Sequence, residues 1–495
     1  MNLTSQSSED PARVLDQAIA ALNASQAELP IERVDRALRQ APHDFRLWHV
    51  KGLIHREQER RELALPALRR AVELAPNEPL IAHGYARTLL EAGLPSVEAF
   101  ARALKLNPKN TDAVTGLAAA LVAEGRIGDA IAGLETVVRQ SPLWTAGHVL
   151  LASLRWSEGE RDGFTKSFDK ALLVHPNSLE LRREQMVLLL HAEHFAEVLK
   201  CVNDGRGLFG PNPLFTAHEA VARSEAGETE AADRLFDELV PLAVANFDLR
   251  YVRHLLRSNR PDRASEILDN WLGGPDQAMF WPYASPAWRM TGDPREEWLE
   301  GDHRLVGVYD IADALPPLDE LAATLRALHN LRSQPLGQSV RGGTQTDGNL
   351  FHRIEPSIVA LREALRTAVA EHAESLPSLD PVHPLSVGRP SRMTFSGAWS
   401  VRLQAGGSHE SHVHPMGWLS SALYVTLPPD LGREQAGWLT LGEPQAQLKL
   451  PLAPLRMVEP KPGRLVLFPS WMWHGTRPFG EGERMTVAFD IAKGT

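Results

Sequence analysis

The 495-residue chain is about three times the usual domain size of roughly 150 residues, so more than one folded unit is expected. With 43% apolar and 23% charged residues it has the composition of an ordinary globular protein, which excludes disordered and fibrous classes. A net charge of −10 argues against nucleic acid as the main partner, because binding it rests on neutralising phosphates.

The opening residues, MNLTSQSSEDPARV, carry neither a basic stretch nor the apolar stretch of a secretory leader. Residues 1–12 are read as a flexible N-terminus. No apolar run reaches the roughly 18 to 20 residues that span a bilayer, and the lone cysteine, Cys201, cannot form an internal disulfide. The expectation is a cytoplasmic protein with no membrane role.

A phrase of the form Ala-Leu-x-x-x-Pro-Asn then recurs, ending at Pro42, Pro76, Pro108, Pro142 and Pro176. The spacings of 34, 32, 34 and 34 residues are those of a tetratricopeptide repeat with one two-residue deletion. Each proline ends the second helix of a pair, because it cannot continue the hydrogen-bond ladder. Small residues such as Gly52, Ala64 and Ala71 stand where helices must approach closely, and Gly84, Ala118 and Ala152 supply the same need in later units. Each pair has an apolar face that only a neighbour can bury, so the expected result is an all-α tetratricopeptide-type solenoid over residues 13–290. The repeats are clear over about 33–177 and degenerate after, and the groove of such an array holds a protein or peptide ligand. A bare spacer or a surface for homo-oligomer assembly is the alternative use. His191 and His194 are three apart and read as structural or surface residues.

From residue 303 the period changes. LDELAATLRALHN and EPSIVALREALRTAVAEHAESL read as helices, and LVGVYDI, RMTFSGAWSVRLQAGG, LSSALYVTLPP, GWLTLGEP, RLVLFPSW and MTVAFDIA as short strands. This pattern suggests an α+β domain with a two-sheet jelly-roll core over 303–495. RGGTQTDGNLF, residues 341–351, reads as a Gly-rich polar loop bordering the mouth of that fold through Thr344, Gln345 and Thr346. Nine of the 12 Trp fall after residue 270; Trp418, Trp471 and Trp473 flank the segments singled out next and read either as walls of a site or as jelly-roll core. His383 is read as structural.

Three histidines crowd into SHESHVHP: His409, His412 and His414. Residues two apart in an extended segment share a side, so His412 and His414 can converge on one point. A third donor would have to come from elsewhere, and His474 at the end of GRLVLFPSWMWH is the candidate. Glu410 shares the ideal-strand side of His412, and His409 lies close by, so either could replace His414.

These segments resemble the iron(II)- and 2-oxoglutarate-dependent oxygenases, in particular a group of uncharacterised members. The shared pieces are HVHP at 412, SALYV at 421, GRLVLFPSWMWH at 463 and ERMTVAF at 483. The resemblance implies a double-stranded β-helix that binds Fe(II), takes 2-oxoglutarate and O2 as co-substrates, hydroxylates a C–H bond and releases succinate and CO2. It implies metal ligands at His412, His414 and His474. It also implies that Arg484 and Thr486, with Tyr424, hold 2-oxoglutarate, whose far carboxylate suits a planar guanidinium. Relatives carry His-x-Asp or His-x-Glu where this chain has His-x-His, which leaves the site one unit more positive. The leading expectation is therefore a dioxygenase acting on a protein or peptide recruited by the repeats. The alternatives are a small-molecule hydroxylase whose repeats serve assembly, and a scaffold with an inactive metal-binding jelly roll.

Overall fold

The computed structural model describes residues 9–24, 30–239, 243–331 and 333–494. Residues 1–8 of the expected flexible N-terminus lie outside the described residues; Asp10 accepts a hydrogen bond from the Ala12 N–H and caps the first helix.

The helical part comprises α1 (Pro11–Asn23), α2 (Ile31–Gln40), α3 (Phe45–Glu57), α4 (Arg61–Leu74), α5 (Pro79–Glu91), α6 (Val97–Leu106), α7 (Thr111–Ala123), α8 (Ile127–Gln140), α9 (Thr145–Ser157), α10 (Lys166–Val174), α11 (Leu179–His191), α12 (Phe195–Phe209), α13 (Pro213–Glu225), α14 (Thr229–Leu239), α15 (Ala245–Arg257), α16 (Pro261–Trp271) and α17 (Trp281–Thr291). As the repeat phrase requires, α2, α4, α6, α8 and α10 each stop two residues before a repeat proline. A Cβ at Gly52 would overlap Leu68, and one at Gly116 would overlap Phe100, so these glycines are what lets the paired helices touch. The degenerate stretch after 177 still pairs its helices, with Phe215, Phe236 and Tyr251 buried between them. Among the described residues no helix is long and apolar enough to cross a membrane.

The chain divides into two compact units. The first contains residues 1–134 and 347–359, the second 135–346 and 360–495. In the first, the segment 347–359 leaves the β-rich sequence and packs on the repeats, with Ile354 against Leu65, Leu89 and Ala92. In the second, the late repeats share a core with the segments that connect the strands, Leu448 and Trp473 among them: the Trp473 indole donates to the Pro282 carbonyl (2.6 Å), and Arg289 donates to the Gly442 and Ala453 carbonyls.

The strands are β1 (Gly307–Asp310), β2 (Val340–Gln345), β3 (Phe395–His412), β4 (Gly417–Thr426), β5 (Leu439–Leu441), β6 (Arg456–Val458), β7 (Arg464–Pro469), β8 (His474–Thr476) and β9 (Arg484–Ala492); helices α18 (Leu318–Arg326), α19 (Pro356–Ser375) and α20 (Pro384–Val387) accompany them. All pair antiparallel in the order β1-β7-β4-β9-β3-β8-β5-β6, with β2 added on β3. The result is a curled antiparallel half-barrel of the double-stranded β-helix type, following a helical repeat region. The segment expected as a loop at 341–351 instead begins as β2. Its glycine pair sits at a register shift between Arg341 and Gly343, where Gly342 takes φ +66° and passes close to Gly407, so a sequence with turn composition still pairs as a bulged strand.

One buried carboxyl stands apart from this packing. Glu300, 6% exposed in a single π-turn (Glu297–Gly301), accepts a hydrogen bond from Ser285 (2.6 Å), while its second oxygen accepts none among the described residues. Burial pushes it up to about 7. A carboxyl raised in the folded state favours folding below its unfolded value, and that contribution is lost as pH rises through about 7. The raised value corresponds to about 3 kcal/mol. Denaturation midpoints followed from pH 5 to pH 8 should therefore fall more steeply for the wild type than for Glu300→Gln; parallel curves would contradict the assignment.

Candidate metal centre

The site is assembled by the pairing of β3 with β8. His412, the last residue of β3, lies directly opposite His474, the first residue of β8. His414 lies just past the end of β3 and is held there by its own N–H, which donates to the Ser470 carbonyl (2.9 Å). Ring nitrogens of His412, His414 and His474 all fall within 4.8 Å of one another.

The hydrogen bonds decide which nitrogens face inward. Nδ1 of His412 bonds the Glu410 carbonyl (2.8 Å), Nδ1 of His474 the Met472 carbonyl (3.0 Å), and Nδ1 of His414 the Asp490 carboxylate (2.6 Å). Each acceptor places the ring proton on Nδ1, so the three lone pairs left are on Nε2. Burial and the neighbouring His414 push His412 down to about 3, and burial with His412 pushes His474 well below the ordinary histidine range. Both are therefore neutral donors near pH 7. A set of three imidazole nitrogens suits a first-row transition metal, and such a set fits Fe(II).

Neither alternative donor joins the group. Between His409 and His412 β3 holds one more residue than its partner strand, a bulge that breaks ideal alternation. Glu410 consequently pairs with Arg341 (2.7 Å), and His409 bonds Ser339 through Nδ1 (3.1 Å). The acid that the His-x-His motif lacks is present one step out. Asp490 orients His414 and accepts from Ser420 (2.6 Å), placing a negative charge behind the imidazole rather than on the metal. Asp490→Asn is expected to weaken metal binding by about 10- to 100-fold without removing it, the usual effect of losing such a partner. Metal titration by calorimetry checks this, and an unchanged affinity would rule out the role.

The three histidines line one cavity with Arg484, Thr486, Ala488 and Asp490, the residues of β9 that share a face at period two. Arg484 is 2% exposed, and among the described residues it has no carboxylate partner. Its contacts are a long hydrogen bond to Thr476 (3.4 Å) and the Tyr424 ring 5.2 Å from the guanidinium carbon, while Nε makes no hydrogen bond. Burial holds Arg484 below its ordinary range, opposed by Tyr424. An unpaired buried guanidinium is costly unless an anion joins it, so the cavity offers a metal-binding corner and an anion-binding corner.

Other expected residues lie elsewhere. Thr344, Gln345 and Thr346 are outside the cavity lining; Thr344 bonds His329 (2.8 Å), Gln345 pairs with Val401 in the β2–β3 ladder, and Thr346 accepts from the Ser400 N–H (2.9 Å). Trp418 donates to the Leu385 carbonyl and Trp473 to the Pro282 carbonyl, so both serve packing rather than the cavity wall. Trp471 packs edge-on against His383, which caps α20. The aromatic groups beside the histidines are Trp399, stacked on His414, and Phe468, against His474. Asp490 and Trp399 escaped the sequence reading, although counting by two along the strand from Arg484 reaches Asp490.

Residues 397–490 match the family model described as "Putative 2OG-Fe(II) oxygenase", and residues 15–79 and 97–154 match two tetratricopeptide-repeat models. No curated protein matches the chain. Among solved structures it is similar to a Pseudomonas putida prolyl-4-hydroxylase at 18% identity, covering 38% of this chain and 93% of that one with a TM-score of 0.27. It is also similar to YrrB, a TPR protein with an unusual peptide-binding site, at 17% identity, covering 36% and 92% with a TM-score of 0.30.

Proposed function

On the premise that this chain carries tetratricopeptide repeats ahead of a 2OG-Fe(II) oxygenase domain, we propose that it hydroxylates a protein or peptide recruited by the repeats. The observation that carries this reading is one cavity holding three converging imidazoles and a buried guanidinium without a carboxylate partner. His412, His414 and His474 would hold Fe(II), and Arg484 with Thr486 would take the far carboxylate of 2-oxoglutarate. Fe(II), with 2-oxoglutarate and O2, supplies the oxidising chemistry, in which a C–H bond becomes C–OH and the co-substrate leaves as succinate and CO2.

The chain's own part is orientation. Nδ1 bonds to two carbonyls and Asp490 fix the imidazole planes before any ligand arrives. Trp399, Val401 and Leu439 give the cavity apolar surface, which strengthens the pairing of Arg484 with an anion. A polypeptide substrate is favoured over a small molecule because His412 also lines a second cleft whose far wall is made by repeat helices.

The test incubates the full chain with Fe(II), 2-oxoglutarate, O2 and a mixture of polypeptides, and follows succinate and oxygen incorporation. Iron-dependent succinate with one added oxygen atom on a polypeptide is the expected result. No succinate above a metal-free control would overturn the dioxygenase, and succinate with no oxygenated polypeptide would move the substrate to a small molecule.

A further inference from the structure

Within the second unit, a cleft of about 430 Å³ separates the late repeats from the β-domain. One wall comes from the repeats, including Trp156, Glu225, Arg250 and Arg253; the other comes from the β2 approach and the end of β3, and reaches His412. Arg250 and His412 line this same cleft.

Arg250 is the unusual member of this wall. It is half-buried, yet among the described residues it makes no hydrogen bond and no ion pair. Glu225 cannot serve it, because that carboxylate is held by Arg253 (2.9 Å) and Arg257 (2.5 Å). Across the cleft, Glu410 is held by Arg341 (2.7 Å). Glu193, the remaining carboxylate at the cleft, is exposed and does not pair with Arg250. Three guanidinium groups on α15 thus face one carboxylate. Burial, with Arg253 adding to it, holds Arg250 below the usual guanidinium range. A desolvated cation without a partner costs stability unless a ligand supplies the opposite charge.

We infer that Arg250 is the specificity-determining residue for a polypeptide carboxylate, which it pairs in the cleft while the neighbouring chain reaches the centre at His412. The inference rests on the dioxygenase reading for what happens next, but the binding itself does not require turnover. The carboxylate can come from an Asp or Glu side chain or from a free C-terminus. A guanidinium suits either, since its fork matches both oxygens.

The test uses the full chain and three pools of labelled random peptides read by fluorescence anisotropy. One pool carries a single Asp or Glu and an amidated C-terminus, the second replaces that residue by Asn or Gln, and the third is the neutral pool with a free C-terminus. At least one carboxylate-bearing pool should bind about tenfold or more tighter than the neutral amidated pool, and which one identifies the source. Arg250→Gln should erase the difference, Arg250→Lys should retain part of it, and Arg126→Gln, an equal charge loss at an exposed site, should preserve it. Equal binding of all pools by the wild type would overturn the inference. So would a preference that survives Arg250→Gln; if that variant does not fold, undiminished preference in Arg250→Lys overturns the paired-fork geometry. A preference that depends on Arg250, in a protein that makes no succinate, removes the dioxygenase reading and leaves this one. Succinate without any preference does the reverse.

Discussion

Replacing His474 by alanine is expected to lower succinate release more than about 100-fold, beyond the 10- to 100-fold usual for losing a residue that only supports a ligand. His474 supplies one of three converging nitrogens and faces His412 across the β3–β8 pair. Its removal leaves two donors and a gap where the third closed the site. Metal titration must show the same loss, so that failure of binding is separated from failure of chemistry. Two further variants make the assignment specific. His409→Ala and Glu410→Gln should keep metal stoichiometry, since His409 is engaged with Ser339 and Glu410 with Arg341. Retained metal affinity in His474→Ala, or its loss in Glu410→Gln, would displace the triad.

The second large effect concerns Arg484. Arg484→Met should raise the 2-oxoglutarate KM by about 10- to 100-fold, the range for losing a charge-assisted hydrogen-bonded pair. Arg484→Lys should also be impaired, because an ammonium keeps the charge but not the fork. Stability should move the other way. In the ligand-free protein Arg484 is a buried cation without a carboxylate partner, so an apolar side chain of similar volume should raise the thermal midpoint while weakening co-substrate binding. Unchanged KM in both variants would remove Arg484 from the anion site. A lowered midpoint with unchanged KM would make it a structural residue.

Much of this was legible in local pattern. Prolines at a 34-residue period marked helix ends because one residue type breaks a ladder wherever it falls, and each of the five predicted stops is observed two residues earlier. Apolar runs between Gly and Pro marked β3, β4, β7 and β9. Short β6 and β8 have too few residues to show a period, and β2 was hidden by its Gly-Gly pair, which has turn composition but ladder hydrogen bonds. The tryptophans after residue 270 invited a site role that the structure gives to packing for Trp418 and Trp473, because an indole N–H near a backbone carbonyl is satisfied wherever the fold brings them together.

The sequence alone determined the chemistry on offer. With one cysteine, a metal site in this chain had to rest on imidazole and carboxylate, and the spacing of His412 and His414 together with His474 pointed to the donors. Tertiary structure decided among them. Whether Glu410 or His414 joins His412 depends on one extra residue in β3 opposite β8, and a bulge cannot be read from alternation because alternation assumes it is absent. The acid behind His414 is Asp490, seventy-six residues away in sequence. Arg250 and His412 come to one cleft only because late repeats pack on the β-domain. Such pairings are set by cross-strand register and packing between distant elements, and local periodicity carries no information about either.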